Sequence, residues 1–237
     1  MGMRDELLVV RELISRCSLL RDLPQPALDS VIQKGSRRQL NARDVVFGRG
    51  EAGSDIYFLL DGGVKVATIS RDGKEAIFDV LVSGDFFGEM SLFDGKPRTG
   101  TVTALVPSAL FVLGKGAFLE LLASHPPLSV RLVQTLVGRL RVVDDFVGDV
   151  LFLHAEARLA KRVVALARMF GRTGDQGEIR IDLRVSQQEI ANLVGITRES
   201  VNKQFRGWER AGAISLDGGC LVLRQPQFLE AMTAEAG

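Results

Sequence analysis

Residues 84–102 read GDFFGEMSLFDGKPRTGTV. Gly88 admits a backbone approach that a Cβ would block, Glu89 follows at once, and the next few residues read as one short helical turn whose free N–H groups face an anion. Arg98 comes nine residues after Glu89 and is a planar fork suited to phosphate oxygens; Thr99 sets a hydroxyl beside it. An acid that accepts from sugar hydroxyls and a base that holds one phosphate describe a compact phosphorylated nucleoside. No G-x-x-x-x-G-K-[ST] loop is present to hold a triphosphate.

Around this stretch, from about Gln39 to Gly114, the chain consists of short apolar runs cut by turn signals: DVVFGRG, DIYFLLDGG, VKVATISRDGK, AIFDVLV, TVTALVP and ALFVLG. Six or more such strands with no alternating helices predict a β-roll or jelly roll rather than a parallel sheet. Residues 84–102 interrupt the strand series between Val82 and Thr101. Upstream, Leu7, Leu8, Val10, Leu13 and Ile14 predict an amphipathic helix over 5–17, and Leu28, Val31 and Ile32 mark a second short one.

Downstream, 115–124 read as a helix, and His125, Pro126 and Pro127 as a break. A long helical stretch follows, with Val133, Leu136, Leu140, Val143, Val147 and Val150 spaced by three and four residues. Such a heptad seam predicts a homodimer, seam to seam; the second reading packs the stripe on the β-roll. Residues 156–170 form another helix through Leu159, Val163, Leu166 and Phe170, and the polar, glycine-rich 171–178 read as a loop.

Residues 186–210, SQQEIANLVGITRESVNKQFRGWER, carry the second strong signal. Ser186 and Glu189 have capping-box spacing, Gln187 opens the helix, and Gly195 suits a turn with positive φ. Thr197 then caps a second helix, with Val201, Phe205 and Trp208 inward and Arg198, Glu199, Asn202, Lys203 and Arg206 outward. That is a helix-turn-helix, and the runs AISL and CLVLR around Asp-Gly-Gly add a winged hairpin. From 155 to 237 there are 12 Arg and Lys against 10 Asp and Glu, so affinity for DNA has to come from cations concentrated on this second helix.

At Phe87, Gly88, Glu89, Met90, Ser91 and Leu92, closed by Arg98, Thr99 and Gly100, the sequence resembles the cyclic-nucleotide-binding domain family, and specifically transcription regulators of the catabolite-activator/FNR superfamily. Gly100 stands where the family usually has Ala. The resemblance implies that Glu89 bonds the ribose 2'-hydroxyl, that Arg98 and Thr99 hold the cyclic phosphate, and that Gly88, Met90 and Ser91 contribute backbone contacts. A buried Glu89–Arg98 ion pair that only braces the roll is the other reading. The resemblance also aligns Val143 and Asp144 with a base-recognising Thr-Ser pair, which leaves cyclic AMP and cyclic GMP both open. On the DNA side it implies an R-E-x-x-x-R reader at Arg198, Glu199 and Lys203, with Lys in place of the last Arg, half-sites close to TGTGA, and RNA polymerase as a partner.

The resulting expectation is an α+β chain in three parts: a cyclic-nucleotide-binding β-roll domain over 1–126, a dimerisation helix and hinge over 127–154, and a winged helix-turn-helix over 155–237. Two domains suit 237 residues, and 46% hydrophobic with 25% charged residues is an ordinary globular balance. No apolar run has membrane-spanning length and the N-terminus lacks a signal-peptide core, which predicts a cytoplasmic protein with no membrane partner. A net charge of +1 does not by itself announce a nucleic-acid partner. Cys17 and Cys220 lie far apart with no metal spacing, against a disulfide framework, a zinc site or a four-cysteine iron–sulfur cluster. No prosthetic group is expected, the effector being the cyclic nucleotide. A ligand-independent, redox or gas sensor on the same scaffold is the alternative, with Cys17, His125 and His154 as haem ligands. No acid/base or metal constellation accompanies Glu89 and Arg98, so the chain does not read as an enzyme.

Overall fold

The computed structural model describes residues 10–175, 177–183 and 185–234, and shows the expected α+β architecture. Within them the chain forms two compact units, one running to Thr68 and taking in Phe78–Leu140, the other comprising Ile69–Ile77 and Arg141 onward. The predicted helix over 5–17 falls partly outside the described residues; its described portion is α1, residues 10–15. Pro24 then starts α2 (Gln25–Lys34), a position where proline's missing N–H costs nothing.

The first unit is a β-roll of two four-stranded sheets. One has the order β1 (Ser36–Leu40), β8 (Ser108–Gly114), β3 (Asp55–Asp61), β6 (Phe86–Phe87); the other runs β2 (Val45–Phe47), β7 (Thr101–Ala104), β4 (Gly63–Ile69), β5 (Glu75–Val82). The unbroken apolar run in DIYFLL follows from β3 lying in the middle layer. Ile56, Phe58 and Leu60 face the helical side, among Ile14, Leu28, Phe118, Leu128 and Leu132, while Tyr57 and Leu59 face the second sheet, among Phe47, Val64 and Val102. β8 divides the same way, Phe111 and Leu113 to one side and Leu110 to the other. Phe58, Phe86, Phe111 and Phe118 are almost wholly buried, and each contributes about 1.5–3 kcal/mol by that burial. The sequence expectation of an interruption between Val82 and Thr101 is refined here. Phe86–Phe87 forms a two-residue strand on β3, with Tyr57 opposite Phe87, and this strand delivers the chain to α3 (Glu89–Asp94).

After α4 (Lys115–Ser124), α5 runs without a break from Pro126 to Phe152. Leu128 and Leu132 are buried in the helical-side core and Leu136 packs against it. Leu136 therefore belongs to the roll rather than to the seam. Val133, Leu140, Val143, Val147 and Val150 stay about half exposed, an apolar stripe with no cover among the described residues.

The second unit contains α6 (Ala155–Phe170), α7 (Gln187–Val194), α8 (Arg198–Arg210), α9 (Pro226–Ala234) and a sheet ordered β11 (Ile214–Asp217), β12 (Cys220–Leu223), β10 (Ile179–Ile181), β9 (Gly171–Thr173). Reading 171–178 as a loop is corrected: Gly171–Thr173 and Ile179–Ile181 pair antiparallel, and β10 joins the wing through β12. Polar residues hid β9, which is exposed throughout and shows no apolar alternation.

Candidate functional site

Two places in the fold gather the residues singled out by sequence. The first lies where β6, α3 and the segment before β7 meet. Gly88 precedes α3 with φ 88°, and a Cβ there would lie 2.8 Å from an Arg98 nitrogen and 2.9 Å from the Asp55 carbonyl oxygen, so only glycine makes this turn. Arg98 is 4% exposed and Glu89 6%. Their backbones are set by different neighbours: the Arg98 N–H donates to the Glu51 carbonyl at 2.8 Å and its carbonyl accepts from Gly50 at 2.9 Å, tying it to the loop after β2.

The guanidinium of Arg98 donates to two main-chain carbonyls, Gly88 at 2.7 Å and Asp55 at 3.0 Å, and lies 4.2 Å over the Phe47 ring. Its Nε is buried and has no hydrogen-bond partner. Gly53 backs it so closely that a Cβ would fall 2.1 Å from Nε. Tyr57, stacked on Phe87 with centroids 5.1 Å apart, completes the wall; burial raises its phenol pKa, with Asp55 adding to the rise and Arg98 opposing it. The reading of a Glu89–Arg98 ion pair is therefore not what the structure has. Among the described residues Arg98 has no carboxylate partner, and Glu89 pairs with Arg139 of α5 at 3.1 Å.

Arg139 was not found by sequence reasoning. It accepts nothing and donates twice, to Glu89 and to the Phe86 carbonyl, while its guanidinium lies 4.6 Å over the Phe86 ring. Around this pair Ser91 is buried, Met90 is 53% exposed, and Thr99 is exposed with its hydroxyl 3.7 Å from the Met90 sulfur. A Cβ on Gly100 would come within 3.1 Å of the Ala67 carbonyl oxygen. Val143 and Asp144 are both exposed on α5, in the other unit.

The second place is the face of α8. Ser186 accepts from the Glu189 N–H at 3.2 Å and Glu189 accepts from the Ser186 N–H at 2.9 Å, the reciprocal cap expected for α7. Gly195 has φ 73°, and Thr197 accepts from the Ser200 N–H at 3.2 Å to start α8. Val201, Phe205 and Trp208 are buried, and Trp208 donates to Glu156 at 3.3 Å. The opposite face exposes Arg198, Glu199, Lys203, Arg206 and Arg210, which with Asn202 line a shallow open depression. Asn202 donates to the Gln187 side chain at 3.1 Å, so these two predicted contacts also brace the two helices against each other. The Glu199 carboxyl sits below its usual pKa, held mainly by its own backbone N–H and by Thr197, and is ionised at neutral pH.

Both halves of the chain match known domain families. The cyclic nucleotide-binding domain family matches residues 37–125 and the Crp-like helix-turn-helix domain family residues 157–232. The chain is thus similar to a cyclic nucleotide-binding domain followed by a Crp-like helix-turn-helix domain. That pairing is the domain order of a transcription regulator with a cyclic nucleotide-binding domain. It is 29% identical over 218 residues to a CRP-like cAMP-activated global transcriptional regulator of Mycobacterium tuberculosis, covering 92% of this chain and 97% of that one. The cAMP-activated global transcriptional regulator CRP of Salmonella typhimurium is 28% identical over 200 residues, 84% and 94% of the two chains. The c-di-GMP responsive regulator CLP of Xanthomonas campestris shares the fold, with a TM-score of 0.74 at 22% identity over 84% of this chain and 99% of that one. No described helix is long and apolar enough to cross a membrane.

Proposed function

We propose that this protein is a homodimeric transcription regulator whose affinity for a palindromic operator is set by a cyclic nucleotide. The observation that carries the reading is Arg98: a guanidinium 4% exposed, held by carbonyls, with a buried Nε and no carboxylate of the described residues paired with it. A buried charge without a counterion is costly. A monoanionic cyclic phosphate supplies that counterion, with the exposed Thr99 hydroxyl beside it. Glu89 accepts from the ribose 2'-hydroxyl while Arg139 keeps the carboxylate oriented, and Gly88, Met90 and Ser91 offer main-chain groups. By the alignment that the resemblance gives, Val143 and Asp144 are the base-recognising positions. Val143 has no hydrogen-bonding side chain, whereas a carboxylate at Asp144 can accept from guanine N1–H and N2–H together, so cyclic GMP stands beside cyclic AMP as a candidate.

In this reading residues 1–126 bind the nucleotide, 127–154 dimerise through the exposed α5 stripe, and 155–237 bind DNA. Arg198 donates to guanine O6 and N7, Glu199 accepts from cytosine N4, and Lys203 adds a less directional donor. Ser186, Gln187, Thr197 and Asn202 meet the phosphates flanking a TGTGA-like half-site. A ligand that binds one arrangement of the two heads better than the other shifts the protein toward it, and RNA polymerase reads the result. The protein acts in the cytoplasm and does no catalysis. Parallel calorimetric titration with cyclic AMP and cyclic GMP tests the reading. Binding of one at micromolar concentration, with tighter operator binding in its presence, is expected. Heat from neither refutes nucleotide control and leaves the non-nucleotide sensor.

A further inference from the structure

The nucleotide reading uses the main chain of Met90 and leaves its side chain idle. That side chain turns outward from α3: Met90 is 53% exposed, while Ser91 and Leu92 beside it are buried. An apolar side chain half in solvent gains little from the core, so packing does not account for a thioether here. Its sulfur instead accepts from the Thr99 hydroxyl at 3.7 Å. Sulfur is a weak acceptor, and a threonine hydroxyl has one proton to give. A phosphate oxygen beside Thr99 therefore outcompetes the thioether for that proton.

Oxidation reverses the competition. Cys17 and Cys220 are buried, and among the described residues of the first unit Met90 carries the one exposed sulfur. A thioether in solvent is open to a hydroperoxide, and the sulfoxide it becomes is polar where methionine was apolar.

We propose that Met90 is an oxidation site at which a hydroperoxide switches off nucleotide binding, with Thr99 as the group that reads its state. The proposal rests on the nucleotide reading above. With hydrogen peroxide, a sulfur lone pair attacks one peroxide oxygen and the O–O bond breaks. Sulfur gives up two electrons, and the departing oxygen takes the proton of the transferred one and leaves as water. The new sulfoxide oxygen is a strong acceptor at the negative end of the S–O dipole. On the side of the sulfur turned to Thr99 it is within reach of the hydroxyl, takes the proton that the phosphate needs, and sets negative charge against an anion. Methionine sulfoxide reductases restore the thioether, so the switch is reversible.

The test uses the full-length protein as wild type, Met90→Leu and Thr99→Val. Each is titrated with cyclic AMP and cyclic GMP before hydrogen peroxide, after it, and again after methionine sulfoxide reductases A and B. Each protein is compared with itself, so the effect of the substitution on affinity cancels. The wild type is expected to weaken about tenfold on oxidation, the scale of one hydrogen bond to a charged group, and to recover on reduction. Met90→Leu is expected to keep its own affinity throughout, which separates Met90 from the other methionines and the thiols. Thr99→Val is expected to lose clearly less than the wild type. Peptide mapping is expected to find the sulfoxide at Met90 ahead of Met169, which is 39% exposed in α6. Oxidised wild type that binds as the reduced protein does, or an equal loss in Met90→Leu, overturns the switch. Equal losses in wild type and Thr99→Val overturn the role of Thr99. If reduced wild type binds neither nucleotide the functional reading falls, and mapping still decides the site: conversion of Met90 ahead of Met169 keeps it, and conversion no faster removes it.

Discussion

Replacing Arg98 by leucine separates a ligand-holding arginine from a bracing one. In the ligand-free protein the substitution removes two charge-assisted bonds, to Gly88 and Asp55, worth about 1.5–3 kcal/mol each, and the stack on Phe47, worth about 1–2 kcal/mol. Against this it relieves a buried charge that has no carboxylate partner, a penalty of several kcal/mol, and leucine recovers about 2 kcal/mol of apolar burial. The two sides nearly cancel, so the stability of the ligand-free protein is expected to change by no more than about 2 kcal/mol. Nucleotide binding has no such offset. Losing the phosphate's charge-assisted contact costs about 2–4 kcal/mol, a weakening of about 30- to 700-fold. Scanning calorimetry of the ligand-free variant gives the first quantity and isothermal titration the second. A folded Arg98→Leu protein with wild-type affinity refutes the reasoning. So does a stability loss above about 4 kcal/mol with affinity falling only as the folded fraction falls.

On the DNA face, Arg198→Ala is expected to cost about 1–3 kcal/mol at one guanine position and to relax selection there, checked by selecting sites from random duplexes; recovery of no inverted repeat with half-sites about 34 Å apart counts against the docking. Asp144→Ala is expected to weaken cyclic GMP by about 1–3 kcal/mol and spare cyclic AMP, and equal losses remove Asp144 from base recognition. Arg139→Gln is expected to lower nucleotide affinity through a less well oriented Glu89 carboxylate, measured by titration and compared with Arg98→Leu; unchanged affinity shows that the pair only ties α5 to the roll. Burial, helped by Asp85, pushes the Cys17 thiol up to about 12, so native protein at pH 8 is expected to alkylate there far more slowly than unfolded protein, and equal rates by peptide mapping refute its burial.

What the sequence revealed depended on whether each cause was local. The capping box at Ser186 and Glu189, the left-handed Gly195 and the cap at Thr197 are decisions made within four residues, and all appear as read. Gly88 belongs with them, since its φ and its crowding are written in the turn it makes. Arg139 was illegible because an arginine on an exposed helix has no local mark; its partners are 50 and 53 residues away. Leu136 shares the spacing of the seam, yet it lies where the core-facing and outward stripes of α5 run together, and only the position of the roll assigns it. The Phe47 and Tyr57 rings around Arg98 read simply as strand residues, because their second role depends on which loop covers them.

Gly53 shows how the site can be silenced from outside itself. Any side chain there has to take the space of the Arg98 guanidinium, since its first carbon would already fall 2.1 Å from Nε. The arginine and the loop from Gly48 to Ser54 therefore fit as a single casting, joined by the main-chain bonds between Arg98 and residues 50 and 51. In the proposed reading, a descendant of this chain in which one methyl group is gained at position 53 keeps Glu89, Arg98 and Thr99 and is still expected to lose its response to the nucleotide.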